Sequence, residues 1–326
     1  MSDLVLFSAL FGGLIILAVS GDLLVTGAVS LARQFNVSPL MTGILIVGFG
    51  TSMPEMIVAV NAVLEDSPAL AVGNIVGSNI SNIWLVLAIP AFLASVQTGG
   101  FGQARGLAFM LLATAVWIGL TAISPLNVLT GLALVSGLVV YIVATIRQAR
   151  AAERAGLTLE FDETAVDAWK PVPFILIGIV GLPVGASLIV EGGVGIARAY
   201  QISEEIIGLT LLAVGTSLPE IGAAISAALR GRPEVVVGSV LGSNVFNLLA
   251  AGGLISFFGP VEVALGFKQY DYWAMALAAL TLALYIVPKA KVSRMAGLSM
   301  MLIYMVYLYG LVSGWNILGG VKAFVS

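Results

Sequence analysis

The chain has 326 residues, of which 60% are hydrophobic and only 10% charged, with a formal net charge of −3. A soluble domain carries about a quarter charged residues, so a soluble globular fold is excluded. Cysteine and histidine are both absent, which removes disulfides, thiol chemistry, Cys- or His-ligated metals and Ser–His hydrolytic pairs, and the small net charge gives no footprint for a nucleic-acid partner.

Apolar runs of about 20 residues, enough to cross a hydrocarbon core of roughly 30 Å, recur along the chain. In order they lie near residues 4–32, 38–64, 69–96, 106–124, 127–147, 171–198, 204–229, 234–258, 270–288 and 296–318. The sequence therefore predicts an all-α integral membrane protein of ten transmembrane helices, with lipid as its surroundings. Its start, Met1-Ser2-Asp3, lacks the basic residues of a signal peptide, so the first run is expected to remain as a helix.

The longest polar interval, Gln148 to Lys170, separates two groups of five spans. The expected division is a first five-helix unit at 1–148, a linker at 149–170 and a second unit at 171–326. Lys and Arg are divided unequally between alternate loops. Eleven follow spans 1, 3, 5, 7 and 9, against three (Arg198, Lys268 and Lys322) on the other side. The basic side is expected to be cytoplasmic, which puts both termini outside, the linker inside and the chain in the cell (inner) membrane.

One hexapeptide occurs twice, as Gly50-Thr51-Ser52-Met53-Pro54-Glu55 and as Gly215-Thr216-Ser217-Leu218-Pro219-Glu220, at an offset of 165. Sliding the chain by that offset pairs 23–82 with 188–247 without a gap, and over a third of the pairs are identical. The most polar part of the repeat runs over 43–82 and 208–247. Five spans separate each residue from its twin, and an odd number turns the second copy upside down. Arg33 and Arg198 are equivalent in the repeat yet fall on opposite sides. Inverted repeats with interrupted helices mark secondary transporters whose site lies near the membrane midplane.

In span 2, Gly48, Thr51, Ser52 and Glu55 fall at i, i+3, i+4 and i+7, on one helical face. Pro54 has no N–H and clashes with the carbonyl four residues back, so spans 2 and 7 are expected to be broken helices with freed carbonyls. Span 7 repeats the pattern with Ala213, Thr216, Ser217 and Glu220, and spans 3 and 8 add Ser78 with Asn82 and Ser243 with Asn247. This is an all-oxygen donor set, which suits hard cations such as Ca²⁺ and Na⁺. Two ionised glutamates are neutralised by one Ca²⁺ or by two Na⁺, so the two loads compete for one site. No Lys or Arg lies within the core spans to pair with either acid, and an intramembrane carboxylate is by default functional.

GTSMPE with GSNISN, and GTSLPE with GSNVFN, resemble the two α-repeats of the cation/Ca²⁺ exchanger (CaCA) superfamily, and most of all its prokaryotic sodium/calcium exchangers. The resemblance covers essentially the whole chain. It implies a core of spans 2, 3, 7 and 8, with spans 1 and 6 sliding as a gating pair. It implies an antiporter and not an enzyme, exchanging Na⁺ for Ca²⁺, usually three to one, with no organic cofactor and with each chain expected to work as a monomer. Carried over by position, Ca²⁺ would sit between Glu55 and Glu220 with the Thr51 and Thr216 carbonyls. Na⁺ would use Ser52, Ser217, Ser78, Ser243, Asn82 and the Gly48 and Ala213 carbonyls. Asn247 stands where some relatives carry aspartate, which lowers the number of acids to two. A Ca²⁺/H⁺ exchanger using the same carboxylates is the alternative reading.

Four further expectations concern residues outside this set. Asn79 and Asn244 point about 100° away from the neighbouring ligand positions and are read as structural hydrogen-bonders. Gly73/Gly77 and Gly238/Gly242 are small-xxx-small pairs for close packing of spans 3 and 8. Asp22 and Glu191 are not repeat equivalents and either line an entry path or sit at an interface. The Met and aromatic residues of spans 9 and 10 are read as lipid-facing or packing surface.

Overall fold

The computed structural model describes residues 3–34, 38–154, 171–200 and 213–313. Helix α1 is Asp3–Gln34. Helix α2 runs from Pro39–Thr42 through a π-helical stretch, Gly43–Gly48, into Phe49–Leu64. Helix α3 is built likewise from Pro68–Ser81, a π stretch at Asn82–Leu87 and Ala88–Ala94. Helices α4 (Gln103–Ile123), α5 (Val128–Arg154) and α6 (Pro171–Ala199) follow. The described part of α7 is Ala213–Gly215 and Leu218–Leu229. Helix α8 is Pro233–Phe246, a π stretch at Asn247–Ala251 and Gly252–Ile255. Helix α9 is Phe267–Asp271 with Tyr272–Ile286, and α10 is Arg294–Val312.

Among the described residues, eight helices are long and apolar enough to cross a membrane, namely α1 to α6, α8 and α10. The distribution of apolar side chains fits a lipid solvent. Helices α1, α5 and α6 expose Phe11, Ile15, Leu129, Val140, Leu176 and Val180 outward, whereas α8 is enclosed from Val235 to Gly253. A water-soluble protein of this size would not leave so large an apolar surface bare. Helix α5 continues to Arg154, into the polar interval, and the remainder of that interval, 155–170, lies outside the described residues.

Glycines set the two principal seams. Helices α1 and α6 lie antiparallel: Gly27 faces Pro171, Leu24 faces Gly178, Leu17 faces Gly185 and Leu10 faces Gly192. A Cβ at Gly13 would stand 2.8 Å from the Gly185 carbonyl oxygen, so the backbones touch and no side chain fits between them. Helix α8 presents Gly238 and Gly242 to α2, where a Cβ would lie 2.5 Å from the Leu40 carbonyl oxygen and 2.6 Å from that of Ile44. Their counterparts in α3 differ. Gly73 meets the Phe267 ring at 3.5 Å, and Gly77 meets nothing within 4 Å among the described residues.

Repeat-equivalent positions share local structure. Pro68 and Pro233 each occupy the first turn of their helix, after a residue at φ −118°, ψ 57° in one and φ −115°, ψ 63° in the other; proline's fixed φ and missing N–H suit that place. Asn82 and Asn247 each open a π-helical stretch. Isolated antiparallel bridges join Val96 to Val292 and Leu126 to Val261, and Val261 is the offset partner of Val96.

Span 2 departs from expectation. It is not broken: Gly48 and Phe49 both keep right-handed helical angles, and the chain remains helical from Pro39 to Leu64. Pro54 still deprives the Gly50 carbonyl of its helical partner, but the π stretch ahead of it re-phases the ladder without opening it. Docking of Gly43 and Gly48 on α8 holds the first half in line with the second. Span 7 is interrupted as expected, at a turn formed by Thr216 and Ser217.

Candidate ion-binding site

The two glutamates meet in the middle of the molecule. Glu55 on α2 and Glu220 in the first turn of the Leu218–Leu229 segment of α7 are each 2% exposed, and their carboxyl groups lie close enough to interact directly. None of their four oxygens has a hydrogen-bond partner among the described residues. No three acidic residues cluster anywhere among the described residues, in keeping with asparagine and not aspartate at 247. Withdrawing an ionised carboxylate from water costs several kcal/mol unless something compensates. Four orphaned oxygens facing one another are therefore a donor set suited to a cation.

The expected ligands divide into those already partnered and those still open. The Ser243 hydroxyl donates to the Gly48 carbonyl at 3.1 Å, and the Thr51 hydroxyl donates to the Val47 carbonyl at 3.0 Å. The Gly48 carbonyl, expected to be free, therefore has a partner across the α2–α8 seam. Ser52 Oγ, Asn82 Nδ2 and both polar atoms of the Asn247 side chain are buried without partners among the described residues. Ser78 and Ser217 are buried at 5% and 1%, while Thr216 is exposed. Ala213 begins the described part of α7, and 201–212, with any partner they give its carbonyl, lie outside the described residues.

Two cavities reach this centre. One, about 630 Å³, lies between α2, α6 and α7 and is lined by Pro54, Glu55, Ser187 and Thr216, with Glu191 and Arg198 farther along it. The other, about 450 Å³, is lined by Asn74, Ser78, Ser81, Thr216, Ser217 and Asp271. Glu191 thus lines the larger cavity. Asp22 sits at an interface, where Arg230 Nε donates to its carboxylate at 2.6 Å and Ser226 Oγ at 3.4 Å.

Asn79 and Asn244 turn their amides back on their own helices, donating to the carbonyls of Ile75 at 2.7 Å and Val240 at 2.8 Å. Both are structural, as expected. Sequence reasoning passed over three residues. Asn74 Nδ2 donates to the Glu55 carbonyl at 2.9 Å. Ser81 Oγ lies 2.7 Å from Ser217 Oγ. Asp271 is buried in the aromatic surroundings of α9 and α10, where it accepts from the Tyr307 hydroxyl at 2.7 Å. Their repeat partners are Ser239, Phe246 and Gly106, so a search for matched pairs had nothing to find. For Ser81 the one signal was its place inside the GSNISN motif.

Comparison with known proteins agrees with this architecture. The family described as sodium/calcium exchanger protein matches residues 5–147 and again 170–313. The inner membrane protein YrbG of Escherichia coli (strain K12) is 35% identical over 83% of this chain and 86% of its own length. The sodium/calcium exchanger MaX1 of Methanosarcina acetivorans is 26% identical over 93% of this chain and 97% of its own. A solved structure of the sodium-calcium exchanger NCX_Mj, soaked with zero Na⁺ and Ca²⁺, superposes with a TM-score of 0.81 at 27% identity, covering 95% of this chain and all of that one. Two matched segments, orphaned paired carboxylates and full-length likeness in fold lead to one assignment: this chain belongs to the sodium/calcium exchanger family, within the cation/Ca²⁺ exchanger superfamily of membrane ion antiporters.

Proposed function

We propose that the protein exchanges Na⁺ for Ca²⁺ across the membrane by alternating access, using Glu55 and Glu220 for both ions in turn. The observation that carries this reading is the pair of enclosed carboxyl groups with no hydrogen-bond or ionic partner among the described residues. Ca²⁺ would take both carboxylates with the Thr51 and Thr216 carbonyls. Na⁺ would use Ser52, Ser217, Ser78, Ser243, Asn82, Asn247 and the Gly48 and Ala213 carbonyls. Oxygen-only donors suit these hard cations. Either load neutralises the two acids, which lowers the cost of moving them through the membrane interior. Exchange of three Na⁺ for one Ca²⁺ would carry one net charge, worth about 2.3 kcal/mol per 100 mV, and would drive Ca²⁺ out of the cell.

The repeat supports an arrangement of ten spans in two inverted groups of five, 1–148 and 171–326, with 149–170 as the cytoplasmic linker. Antiparallel packing of α1 on α6 about a centre near Val19 and Val184, which are offset partners, favours it. If both termini are outside, the 630 Å³ cavity, lined by Leu6 near the start of α1 and Arg198 near the end of α6, would open outward.

Proteoliposomes loaded with Na⁺ and diluted into Na⁺-free medium test the reading. The expected result is ⁴⁵Ca²⁺ uptake that stops when the Na⁺ gradient is collapsed. Uptake driven by a pH gradient alone and indifferent to Na⁺ would replace it with Ca²⁺/H⁺ exchange on the same carboxylates. Single-channel current in place of saturable exchange would make the protein a channel.

A further inference from the structure

Ser52 and Ser217 are equivalent in the repeat, yet their hydroxyls stand in different environments. Ser52 Oγ is buried with no partner among the described residues. Ser217 Oγ is equally buried but lies 2.7 Å from Ser81 Oγ, and Ser81 Oγ lies 3.1 Å from the Ser78 carbonyl. Across the molecule, the residue equivalent to Ser81 is Phe246, whose ring packs edge-on against Phe49 at 5.2 Å. It offers no hydroxyl to Ser52.

A hydroxyl has one proton to donate and two lone pairs to offer. Ser81 is best satisfied by donating to the Ser78 carbonyl and accepting the proton of Ser217. Ser217 then keeps both lone pairs free for a cation, with its proton tied away from the site. A second feature points the same way. Ser217 occupies the N-cap of α7, where a serine normally accepts from a backbone N–H of the first turn, but its side chain makes no such bond. The oxygen is held out of its own helix. Ser52 has no equivalent restraint, and its proton must find its own orientation whenever an ion arrives.

We infer that Ser81 is a positioning residue for Na⁺, which fixes the Ser217 hydroxyl with its lone pairs toward the ion and makes the half-site on α7 the pre-organised one of the two. This rests on the ligand set proposed above. Because Ca²⁺ there uses Glu55, Glu220 and the threonine carbonyls, the restraint acts on Na⁺ and not on Ca²⁺.

The test compares wild-type protein with Ser81→Ala, Ser81→Thr and Ser217→Ala in proteoliposomes. Two quantities are read for each, half-saturating Na⁺ in Na⁺-driven ⁴⁵Ca²⁺ flux and half-saturating Ca²⁺ in Na⁺-free Ca²⁺/Ca²⁺ exchange. Ser81→Ala is expected to raise the Na⁺ value about fivefold, the effect of one lost net hydrogen bond. It leaves the Ca²⁺ value within about twofold, and Ser81→Thr, which keeps the hydroxyl, returns Na⁺ to near wild type. Ca²⁺/Ca²⁺ exchange also reports that the variant is folded. Equal losses for both ions, an unchanged Na⁺ value or a failed rescue by threonine would overturn the inference. Ser217→Ala separates the two levels of argument. If it shifts Na⁺ while Ser81→Ala does not, only the role of Ser81 falls. If Ser217→Ala is also silent, the proposed ligand set falls with it.

Discussion

The two seams flanking the site are repeat equivalents, and one is closed while the other is open. On the closed side α1 lies against α7. A Cβ at Gly21 would stand 2.7 Å from the Gly222 carbonyl oxygen, and Asp22 is tied to Arg230 and Ser226. On the other side α6 meets α2 where Ile179 packs on Gly50, and beyond that contact the 630 Å³ cavity separates Pro54, Glu55 and Val58 on one wall from Pro183, Ala186 and Ser187 on the other. The offset pairs Gly21 with Ala186, Gly222 with Ile57, Asp22 with Ser187, and Arg230 with Glu65. The repeat therefore preserves the proposed ion ligands and discards the latch. A serine and a glutamate in place of an aspartate and an arginine form no ion pair, and bulkier residues replace the two touching glycines. The alternating access proposed above would require the seams to exchange roles, so the closed seam carries holding contacts that the open seam would lack when its turn comes.

The largest effect on this comparison comes from removing what both seams serve. Glu55→Gln or Glu220→Gln is expected to abolish Na⁺-driven Ca²⁺ flux while insertion and thermal stability stay near wild type. A neutral amide keeps the volume but not the charge. Wild-type exchange from either variant, measured with ⁴⁵Ca²⁺, would place the site elsewhere.

Next in size is Gly21→Ala. A methyl 2.7 Å from backbone oxygen forces the closed seam apart, and overpacking of this kind costs about 1–3 kcal/mol. Ala186→Gly, the mirror change on the open seam, should do little. The chain has no native cysteine, so single reporters at Ser187→Cys and Ser226→Cys can follow each seam by labelling with a membrane-impermeant thiol reagent. Gly21→Ala should raise labelling at 226 and lower it at 187. Unchanged labelling at both would mean the glycine contact does not hold the seam.

The Asp22–Arg230 pair should matter less, because its side chains are a third to a half exposed and such pairs contribute about 0–1 kcal/mol. Asp22→Asn is expected to move the 187 to 226 labelling ratio by about twofold to fivefold, in the same direction as Gly21→Ala. The exchanged pair, Asp22→Arg with Arg230→Asp, should restore it, and failure of the exchange to do so would show that the charges are incidental. Smallest of all, Glu65→Gln should leave the ratio within about twofold, since its seam holds no ion pair.

Much of this could be read from the chain because the repeat is written in polar residues. Glu55 and Glu220, with the serines, threonines and asparagines around them, stand out in a sequence with 10% charge, and the helices meet every expected span that lies within the described residues. Most of the features that escaped are those in which one copy differs from the other. Ser81 has Phe246 as its counterpart, and Asp22 finds its partner 208 positions away with no periodicity to announce it. The π-helical openings at Asn82 and Asn247 are repeated, but a π turn leaves no hydropathy signal. Continuity of α2 past Pro54 was missed because proline reports the lost hydrogen bond and says nothing of the glycine seam that holds the helix together.

The central claim is that one pair of carboxylates serves both ions. Equilibrium ⁴⁵Ca²⁺ binding to purified protein under Na⁺ titration tests it most directly. Na⁺ should displace Ca²⁺ completely, with a slope steeper than one, and the Glu55→Gln/Glu220→Gln double variant should bind neither ion. Ca²⁺ that stays bound at saturating Na⁺, or binding that survives loss of both glutamates, would contradict the account.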